Sequence, residues 1–331
     1  MLTENRTKIN QLLSTIPQDV VLQSSWLINE GYSLDLQKYY RKSGWLKALE
    51  NGAMYRGINQ PSYEGGVYAL QNNTTGNGNT AVGNASLATN TTGVNNTALG
   101  TNTLADNVGN YNTALGTLAL RLNVSGSSNI AIGHAALEWH TTGQSNIAIG
   151  DRAMEDLGMS NYNTAIGMQS MQKTTTGNNN TAVGIQTLNS NTTGYENTSV
   201  GAYSLATNTT GSFNSAFGLN ALRYNTIGTS NSAFGIYALL VNTTGYNNTA
   251  VGRSSLQYNT FGYSNTAVGF SSLSGNTIGN YNSAFGYRSL NYNTTGSSNN
   301  AFGFKALYAN TIAVNNNAFG KESLAIISQD L

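Results

Sequence analysis

Few residues in this chain are of the types that carry out chemistry, and their spacing does not bring them together. The two histidines, His134 and His140, lie six residues apart, and the chain contains no cysteine. Both histidines stand where other copies of a repeat carry Asn, Thr or an apolar residue, so we interpret both as surface variation. The missing thiols exclude a disulfide framework and a thiolate metal site. We expect no metal site and no cofactor.

Acidic and glycine-rich segments offer no better catalytic candidate. Asp151, Glu155 and Asp156 are close in sequence, but an acidic cluster needs a partner base and a cleft before it indicates acid–base chemistry. The glycine-rich phrases contain no lysine and do not open a helix, so they are not phosphate-binding loops. We therefore name no catalytic residue and predict that the protein is not an enzyme.

These side chains are all carried by a repeat that fills most of the chain. A glycine closes phrases such as Asn-Thr-Ala-Val-Gly at intervals of 17 residues, shortened once to 16. The closing glycines are Gly83, Gly100, Gly116, Gly133, Gly150, Gly167, Gly184, Gly201, Gly218, Gly235, Gly252, Gly269, Gly286, Gly303 and Gly320. Such a period is typical of a solenoid, in which each unit is stabilised by its neighbours.

Each unit combines a strand-like phrase with a turn-like phrase. Thr-Ala-Val-Gly alternates with period two, as a strand does, whereas Asn-Thr-Thr-Gly suits a turn in which glycine adopts a positive φ. We predict two short strands and two turns per unit. Residues 72–331 then form a mainly β domain, a parallel β-roll of about fifteen rungs that lie about 4.8 Å apart.

An Asn lies four residues before every closing glycine, from Asn79 to Asn316. Stacked in register, these side chains form a ladder of amide hydrogen bonds, and this is our first interpretation. The rival is N-glycosylation of the many Asn-x-Thr phrases, for which residues in the turns are the better acceptors. These turn residues are Asn90, Asn191, Asn208, Asn242 and Asn293.

Alanine lies two residues before the closing glycine in every copy except the one with Ser199. We expect the apolar residue just before the glycine and the Leu four after it to fill the thin roll, which leaves the alanine row facing outward. An outward row of small residues suits close contact with another backbone, so we predict a homo-oligomer, a trimer or a filament. The predicted interface residues are Ala81, Ala98, Ala114, Ala131, Ala148, Ala165, Ala182, Ala216, Ala233, Ala250, Ala267, Ala284, Ala301 and Ala318.

The repeat array resembles a known family in its short phrases. Asn79-Thr-Ala-Val-Gly83, Ser128-Asn-Ile-Ala-Ile-Gly133 and Ser145-Asn-Ile-Ala-Ile-Gly150 are similar to the head repeats of YadA-like trimeric autotransporter adhesins and to tail-fibre-like arrays. The resemblance implies a left-handed coil, a trimer and binding to extracellular surfaces. The unit of that family is usually shorter, and we find no counterpart of its signal peptide, stalk or membrane anchor.

Residues 1–71 differ in composition from the array, and we predict that they form a separate domain. Apolar spacing predicts a helix over residues 3–13, while Ser24 or Ser25 and Ser33 are suited to cap two further helices. The Asn51-Gly52 pair predicts a hairpin turn. Three helices and a hairpin make a small α+β winged helix-turn-helix domain, which gives domain ranges of 1–71 and 72–331.

Several phrases of this domain resemble the N-terminal domain of AbiEi-type antitoxins, which are winged-helix DNA-binding regulators. The phrases are Val21-Leu-Gln-Ser-Ser-Trp-Leu27, Tyr39-Tyr-Arg-Lys-Ser-Gly-Trp-Leu46, Gly52-Ala53 and Gly65-Gly-Val-Tyr-Ala-Leu-Gln71. The resemblance implies DNA binding with the third helix in the major groove. The larger C-terminal domain of that family is replaced here by the array.

The residues expected to contact DNA are Ser33, Gln37, Lys38, Arg41 and Lys42 on the third helix and Arg56 on the wing. The domain carries seven basic and six acidic residues, so its field is weak, although phosphate contacts normally dominate affinity for DNA. Protein docking or assembly is therefore the alternative role of this domain.

The overall composition sets limits on partners and location. Charged residues are 9% of the chain and the net charge is +1, so there is no general attraction to nucleic acid or anionic membranes. The sequence has neither an apolar run long enough to span a membrane nor a secretory signal. We expect no membrane insertion and place the protein outside the cell or in a virus particle, with the cytoplasm as the alternative.

Three functions stay open from the sequence. The first is a structural or adhesive fibre that contacts a surface, glycan or protein, since tyrosine supplies contact area at low entropy cost. The turn tyrosines are Tyr111, Tyr162, Tyr195, Tyr246, Tyr263 and Tyr281. The second is a DNA-binding regulator oligomerised by the array. The third is ice binding by threonine rows, which are interrupted at Leu157 and Gly158.

Overall fold

The computed structural model describes residues 21–23, 27, 32–33, 36–37, 47–48, 53–55, 69–70 and 72–325. The strands of these residues form two sheets, one of three strands and one of fifteen. The predicted helix over residues 3–13 lies outside the described residues.

The small sheet has the topology expected of a winged helix-turn-helix domain. Its strands are β1 (Val21–Gln23), β2 (Lys47–Ala48) and β3 (Ala53–Tyr55), paired antiparallel in the order β1-β3-β2. Strands β2 and β3 flank residues 51 and 52, which confirms the predicted hairpin. Leu27, Leu36 and Gln37 are helical and lie between β1 and β2. The chain order is therefore strand, two helical segments and a hairpin.

The large sheet contains one strand from every repeat. These strands are β4 (Thr80–Val82), β5 (Thr97–Leu99), β6 (Thr113–Leu115), β7 (Ile130–Ile132), β8 (Ile147–Ile149), β9 (Thr164–Ile166), β10 (Thr181–Val183), β11 (Thr198–Val200), β12 (Ser215–Phe217), β13 (Ser232–Phe234), β14 (Thr249–Val251), β15 (Thr266–Val268), β16 (Ser283–Phe285), β17 (Asn300–Phe302) and β18 (Asn317–Phe319).

Each strand pairs in parallel with the strands of the preceding and following repeats, and equivalent residues are opposite each other, as Ala233 is to Ala250. The predicted parallel β-solenoid is thereby confirmed. At the rung spacing of about 4.8 Å, fifteen rungs make a rod of roughly 70 Å. The ladder of backbone hydrogen bonds begins at Leu70, whose N–H donates to the carbonyl of Ser86 at 3.0 Å.

The prediction of two strands per unit is wrong, because the second segment is built from turns. After each closing glycine, the second and fourth residues have a positive φ, for example 60° at Tyr237 and 49° at Leu239. A left-handed residue costs roughly 1–2 kcal/mol and does not fit a pleated strand. The segment still stacks on its neighbour, since Leu239 N–H donates to the carbonyl of Ser255 at 3.0 Å. Burial of the leucine offsets the strain, contributing about 1.5–3 kcal/mol.

The alanine row lies inside the rod, which overturns its predicted outward orientation. All but the first of these alanines are buried: Ala98, Ala114, Ala131, Ala148, Ala165, Ala182, Ala216, Ala233, Ala250, Ala267, Ala284, Ala301 and Ala318. Ala81, in the first rung, is partly buried and packs against them. The apolar residues just before the closing glycines point outward instead, as at Val82 and Phe234. A row enclosed within one chain cannot form the predicted oligomer interface.

The thinness of the coil explains this inversion. Side chains alternate along a strand, so the Asn and the Ala, two residues apart, share the inner face. The opposite wall is close, because Ser86 Oγ donates to the carbonyl of Ala98 at 3.3 Å. Where Ser199 replaces the alanine, its hydroxyl contacts that of Ser204 on the opposite wall. A valine or phenylalanine has no room there.

The closing glycine is required by both conformation and space. Gly218 has a φ of 134°, and a Cβ added to it would lie 2.7 Å from the carbonyl oxygen of Gly235 in the next rung. No L side chain fits that backbone without displacing the adjacent rung.

Candidate binding surfaces

The interior of the rod contains ladders of buried asparagine amides beside the buried alanines and leucines. In the first ladder, Asn248 donates from its backbone N–H and from Nδ2 to Oδ1 of Asn231, both at 3.1 Å. Its Nδ2 also donates to the carbonyl of Gly262 at 2.8 Å. Its Oδ1 accepts from the backbone N–H and Nδ2 of Asn265 at 3.0 and 3.1 Å, so every hydrogen-bonding capacity of the amide is used. The predicted ladder is confirmed.

A second ladder, not predicted from the sequence, runs through the turns seven residues after the closing glycine. Asn242 Nδ2 donates to Oδ1 of Asn225 at 2.8 Å and to the carbonyl of Gly245 at 2.9 Å. The asparagines proposed as glycan acceptors belong to this ladder. Asn90, Asn191, Asn208, Asn242 and Asn293 are all fully buried, so the glycosylation interpretation of these residues is wrong.

The second ladder is interrupted in three consecutive rungs, where His140, Leu157 and Thr174 replace the asparagine and are fully buried. The interruption leaves polar atoms without hydrogen-bond partners. These include Oδ1 of Asn123, just before the gap, and Oγ1 of Thr174, within it.

His140 is therefore an interior residue, and the prediction that it is a surface variation is wrong. Its Nε2 lies 2.9 Å from the carbonyl of Gly143 and its Nδ1 lies 3.2 Å from the carbonyl of Leu157. A neutral imidazole donates from one nitrogen only, so one of these contacts is unfavourable unless the ring is protonated. Burial lowers the pKa of His140, and the two backbone carbonyls oppose that effect.

The remaining titratable candidates are at the surface and form no centre. His134 is exposed, as predicted, and its Nδ1 lies 2.9 Å from Oδ1 of Asp151. Arg152 Nε is 3.9 Å from Glu155. In the part of the chain that the structure describes, no group of His, Cys, Asp and Glu is suited to hold a metal ion. Among the same residues, no helix has the length and apolar character needed to cross a membrane.

The outer side of the fifteen-stranded sheet is one continuous surface, which we call the strand face. It consists of the first and third residues of β4–β18, which point outward in every strand while the middle residue points inward. The first residues are mostly Thr or Ser, and the third are Val, Leu, Ile or Phe. Rings stack along it, with centroids of Phe285 and Phe302 4.8 Å apart. No charged residue occurs in either column.

Most charges of the rod lie in the turn segments that follow the closing glycines, and those at the first position of a segment, next to the strand face, are Asp151, Arg253 and Lys321. Residues 72–196 contain six acidic and three basic side chains, whereas residues 197–325 contain five basic and one acidic. The first half of the rod therefore has a net charge of −3 and the second half +4. Several cations lie over aromatic rings, as Arg223 over Tyr203 and Lys305 over Phe304.

Most of the turn tyrosines are exposed, as predicted. Tyr111, Tyr162 and Tyr281 are more than half exposed. The rings of Tyr246 and Tyr263 are stacked with centroids 4.8 Å apart, and Tyr263 meets Tyr281 edge-on. These rings form an aromatic edge that is accessible to a partner.

In the N-terminal domain, the described residues separate two of the predicted DNA contacts. Ser33 is exposed, and its Oγ accepts a hydrogen bond from Leu36 N–H at 3.3 Å, which confirms its predicted role as a helix cap. Gln37 is buried, and its Nε2 donates to the carbonyl of Tyr32 at 2.7 Å. The burial of Gln37 does not suit a side chain that contacts DNA, and its hydrogen bond gives it a structural role. The other predicted contacts, Lys38, Arg41, Lys42 and Arg56, lie outside the described residues.

The described residues thus form a parallel β-solenoid preceded by a small antiparallel sheet, and comparison with known proteins finds a family model that is similar to the N-terminal part of the chain. Residues 5–91 match the family model described as the transcriptional regulator, AbiEi antitoxin N-terminal domain. The match includes the β1-β3-β2 sheet and runs on into the first rung of the array. No curated protein and no solved structure matches the chain.

Proposed function

We propose that this protein is a DNA-binding transcriptional regulator of the antitoxin type, in which the N-terminal domain contacts DNA and the β-solenoid is a rigid assembly arm. The single observation that carries the proposal is the family match over residues 5–91. The strand, helix, helix, hairpin order of the described residues agrees with a winged helix. Ser33 is exposed and precedes the second described helical segment. This position suits the N-terminal end of a recognition helix, which contacts the bases of DNA.

The proposal is tested by measuring binding of the full chain to a random DNA library at 50 mM salt, followed by sequencing of the retained DNA. We expect enrichment of a defined sequence and an affinity that falls steeply with salt, since released counterions drive phosphate contacts. The proposal would be overturned if the chain bound no DNA at low salt, or if its affinity for DNA did not change with the salt concentration.

Substitutions in the N-terminal domain test whether that domain binds the DNA. Lys38→Ala, Arg41→Ala and Arg56→Ala should each weaken binding and lower the salt slope by about one unit per phosphate contact. Lys173→Ala, which removes one exposed positive charge from the array away from the strand face, is the matched control and should leave both quantities unchanged. An equal effect of the control would move the binding site to the rod.

Adhesion to a surface or glycan is the second candidate function, favoured by the exposed aromatic edge of Tyr246, Tyr263 and Tyr281. Tyrosine side chains of this kind are common at recognition surfaces. A glycan array probed with the wild-type chain and with Tyr246→Ala/Tyr281→Ala decides this candidate. Binding that is lost in the double variant supports it, and a blank array rejects it.

A further inference from the structure

We propose that two copies of this chain pair side by side and antiparallel through the strand face. The proposal rests on the rod alone and does not depend on DNA binding.

The strand face, which carries no charge, is part of a long outer surface whose formally charged residues are Asp151, Arg253 and Lys321. The strand face and the column just after the closing glycines run the whole length of the rod, roughly 70 Å by about 13 Å from strand and rung spacings. That amounts to about 900 Å², close to the roughly 800 Å² that each partner buries in a stable complex. Within this surface the Val, Leu, Ile and Phe residues form a continuous exposed apolar column, and a continuous exposed apolar patch of this kind marks an interaction site.

The regular spacing of the strand face identifies the partner as another copy of the chain. The strand face carries an outward-pointing apolar side chain at every rung, from Val82 to Phe319. Only a partner with the same spacing engages all rungs at once, and a second rod has that spacing. A partner without the repeat would match a few rungs and leave the rest exposed.

The charges next to the strand face set the direction in which the two rods pair. Next to the strand face, the first half of the rod carries the acidic Asp151, and the second half carries the basic Arg253 and Lys321. Parallel pairing places like halves together, whereas antiparallel pairing places each acidic half against a basic half. Complementary charges fix orientation and register more than they add affinity.

The antiparallel arrangement makes one specific contact. A two-fold axis parallel to the strands reverses the order of rungs and keeps each column opposite the same column of the partner. With full overlap, the rung of β8 then faces the rung of β14. Asp151 and Arg253 follow the closing glycines of these rungs, so they meet across the pair. Both are exposed, and among the described residues Arg253 makes no ion pair.

Pairing is tested first by sedimentation equilibrium of the full chain. We expect twice the chain mass of 35.0 kDa. Val251→Lys places a charge on the strand face and should abolish pairing, whereas Tyr258→Lys, at an exposed turn position, should not. Circular dichroism of both variants checks that the fold is retained. A wild-type monomer or trimer would overturn the proposal.

Direction is tested by spin labels, which is straightforward because the chain has no cysteine. Ser125→Cys and Thr176→Cys are exposed and occupy equivalent turns three rungs apart. In an antiparallel pair the two labels of Ser125→Cys are ten rungs apart, about 48 Å along the rod, and those of Thr176→Cys four rungs, about 19 Å. Equal distances in the two variants would mean parallel pairing and would contradict the proposal.

The charge contact is tested by reversal. Asp151→Arg and Arg253→Asp should each weaken pairing roughly tenfold, because each creates two repulsive contacts per pair. The double variant restores opposite charges and should recover the wild-type dissociation constant. Additive losses in the double variant would reject the predicted register.

Discussion

The rungs of β11–β17 and the rungs of β7–β9 share the same strand pairing but differ in their interiors. In the first group the second asparagine ladder is unbroken, whereas in the second group His140, Leu157 and Thr174 replace it. The parallel register nevertheless continues through the gap, with Ile147 opposite both Ile130 and Thr164. The strand ladder and the first asparagine ladder are therefore sufficient for stacking.

The comparison also shows where the rod is weakest. Solenoid stability is a sum of terms from each rung and its nearest neighbours, so a gap in one ladder lowers stability locally. Atoms such as Asn123 Oδ1 lose a partner there. We expect hydrogen exchange to be faster in the turns at 140–143, 157–160 and 174–177 than in the equivalent turns of β11–β17.

The largest effect is expected from Gly218→Ala in the regular region. The new Cβ would be 2.7 Å from the Gly235 carbonyl oxygen on a backbone with positive φ, which should cost about 4 kcal/mol. Gly158→Ala in the interrupted region is the control, because the nearest atom is 3.1 Å away and no positive φ is required. Urea unfolding measures both. Equal midpoints would contradict the role assigned to the closing glycine.

The next largest effect concerns the ladders themselves. Asn242→Leu, in the unbroken part of the second ladder, removes two hydrogen bonds donated by Nδ2 and the one that Oδ1 accepts from Asn259, which should cost about 3 kcal/mol. Asn123→Leu should cost about half as much, because Oδ1 of Asn123 already lacks a partner. Equal losses of stability in the two variants would mean that the gap does not affect the contribution of a neighbouring asparagine.

His140→Asn should close part of the gap and remove a pH dependence. Burial lowers the pKa of His140 below 6.5, so the unfolded chain binds the proton more tightly than the folded one. The stability that this residue contributes is therefore present above about pH 6.5 and is lost as the pH falls. Urea midpoints between pH 5 and 7 should fall with decreasing pH in the wild type and fall less in His140→Asn. The variant should also be about 1 kcal/mol more stable at pH 5.5, since Nδ2 reaches Asn123 Oδ1.

The smallest effect is expected for Thr174→Val. Oγ1 of Thr174 is buried without a partner, so an isosteric apolar side chain should be neutral or stabilise by up to about 1 kcal/mol. Thr103→Val is the control, because Oγ1 of Thr103 donates to the carbonyl of Gly116 at 2.8 Å and its loss should destabilise. A destabilised Thr174→Val would show that this hydroxyl has a partner after all.

Much of the fold was predictable because the same residue types recur at the same positions of every repeat. Asparagine in all fifteen copies predicted the first ladder, and the Asn51-Gly52 pair predicted the β2–β3 hairpin. The second ladder was missed because His140, Leu157 and Thr174 hide its period. The signal that was available is the recurrence of asparagine seven residues after the closing glycine on both sides of the gap.

The candidate surfaces were less predictable. Gln37 has the chemistry of a base-reading residue, and only its burial against the Tyr32 carbonyl shows a structural role. Alternation along the strand requires that Asn and Ala share one face. The sequence does not say which face is inside, because alanine suits both a narrow interior and a tight interface.

By itself the sequence determined the period, the number of rungs and the positions that must be glycine or asparagine, since stacking repeats every local requirement at every turn. The tertiary structure decided what was inside. The distance between the two walls of the coil admits alanine and excludes valine and phenylalanine. That distance follows from left-handed residues such as Leu239 in the turn segment, which no strand or turn preference predicts. The same short distance between the walls leaves the larger apolar side chains of the strands on the outside of the rod.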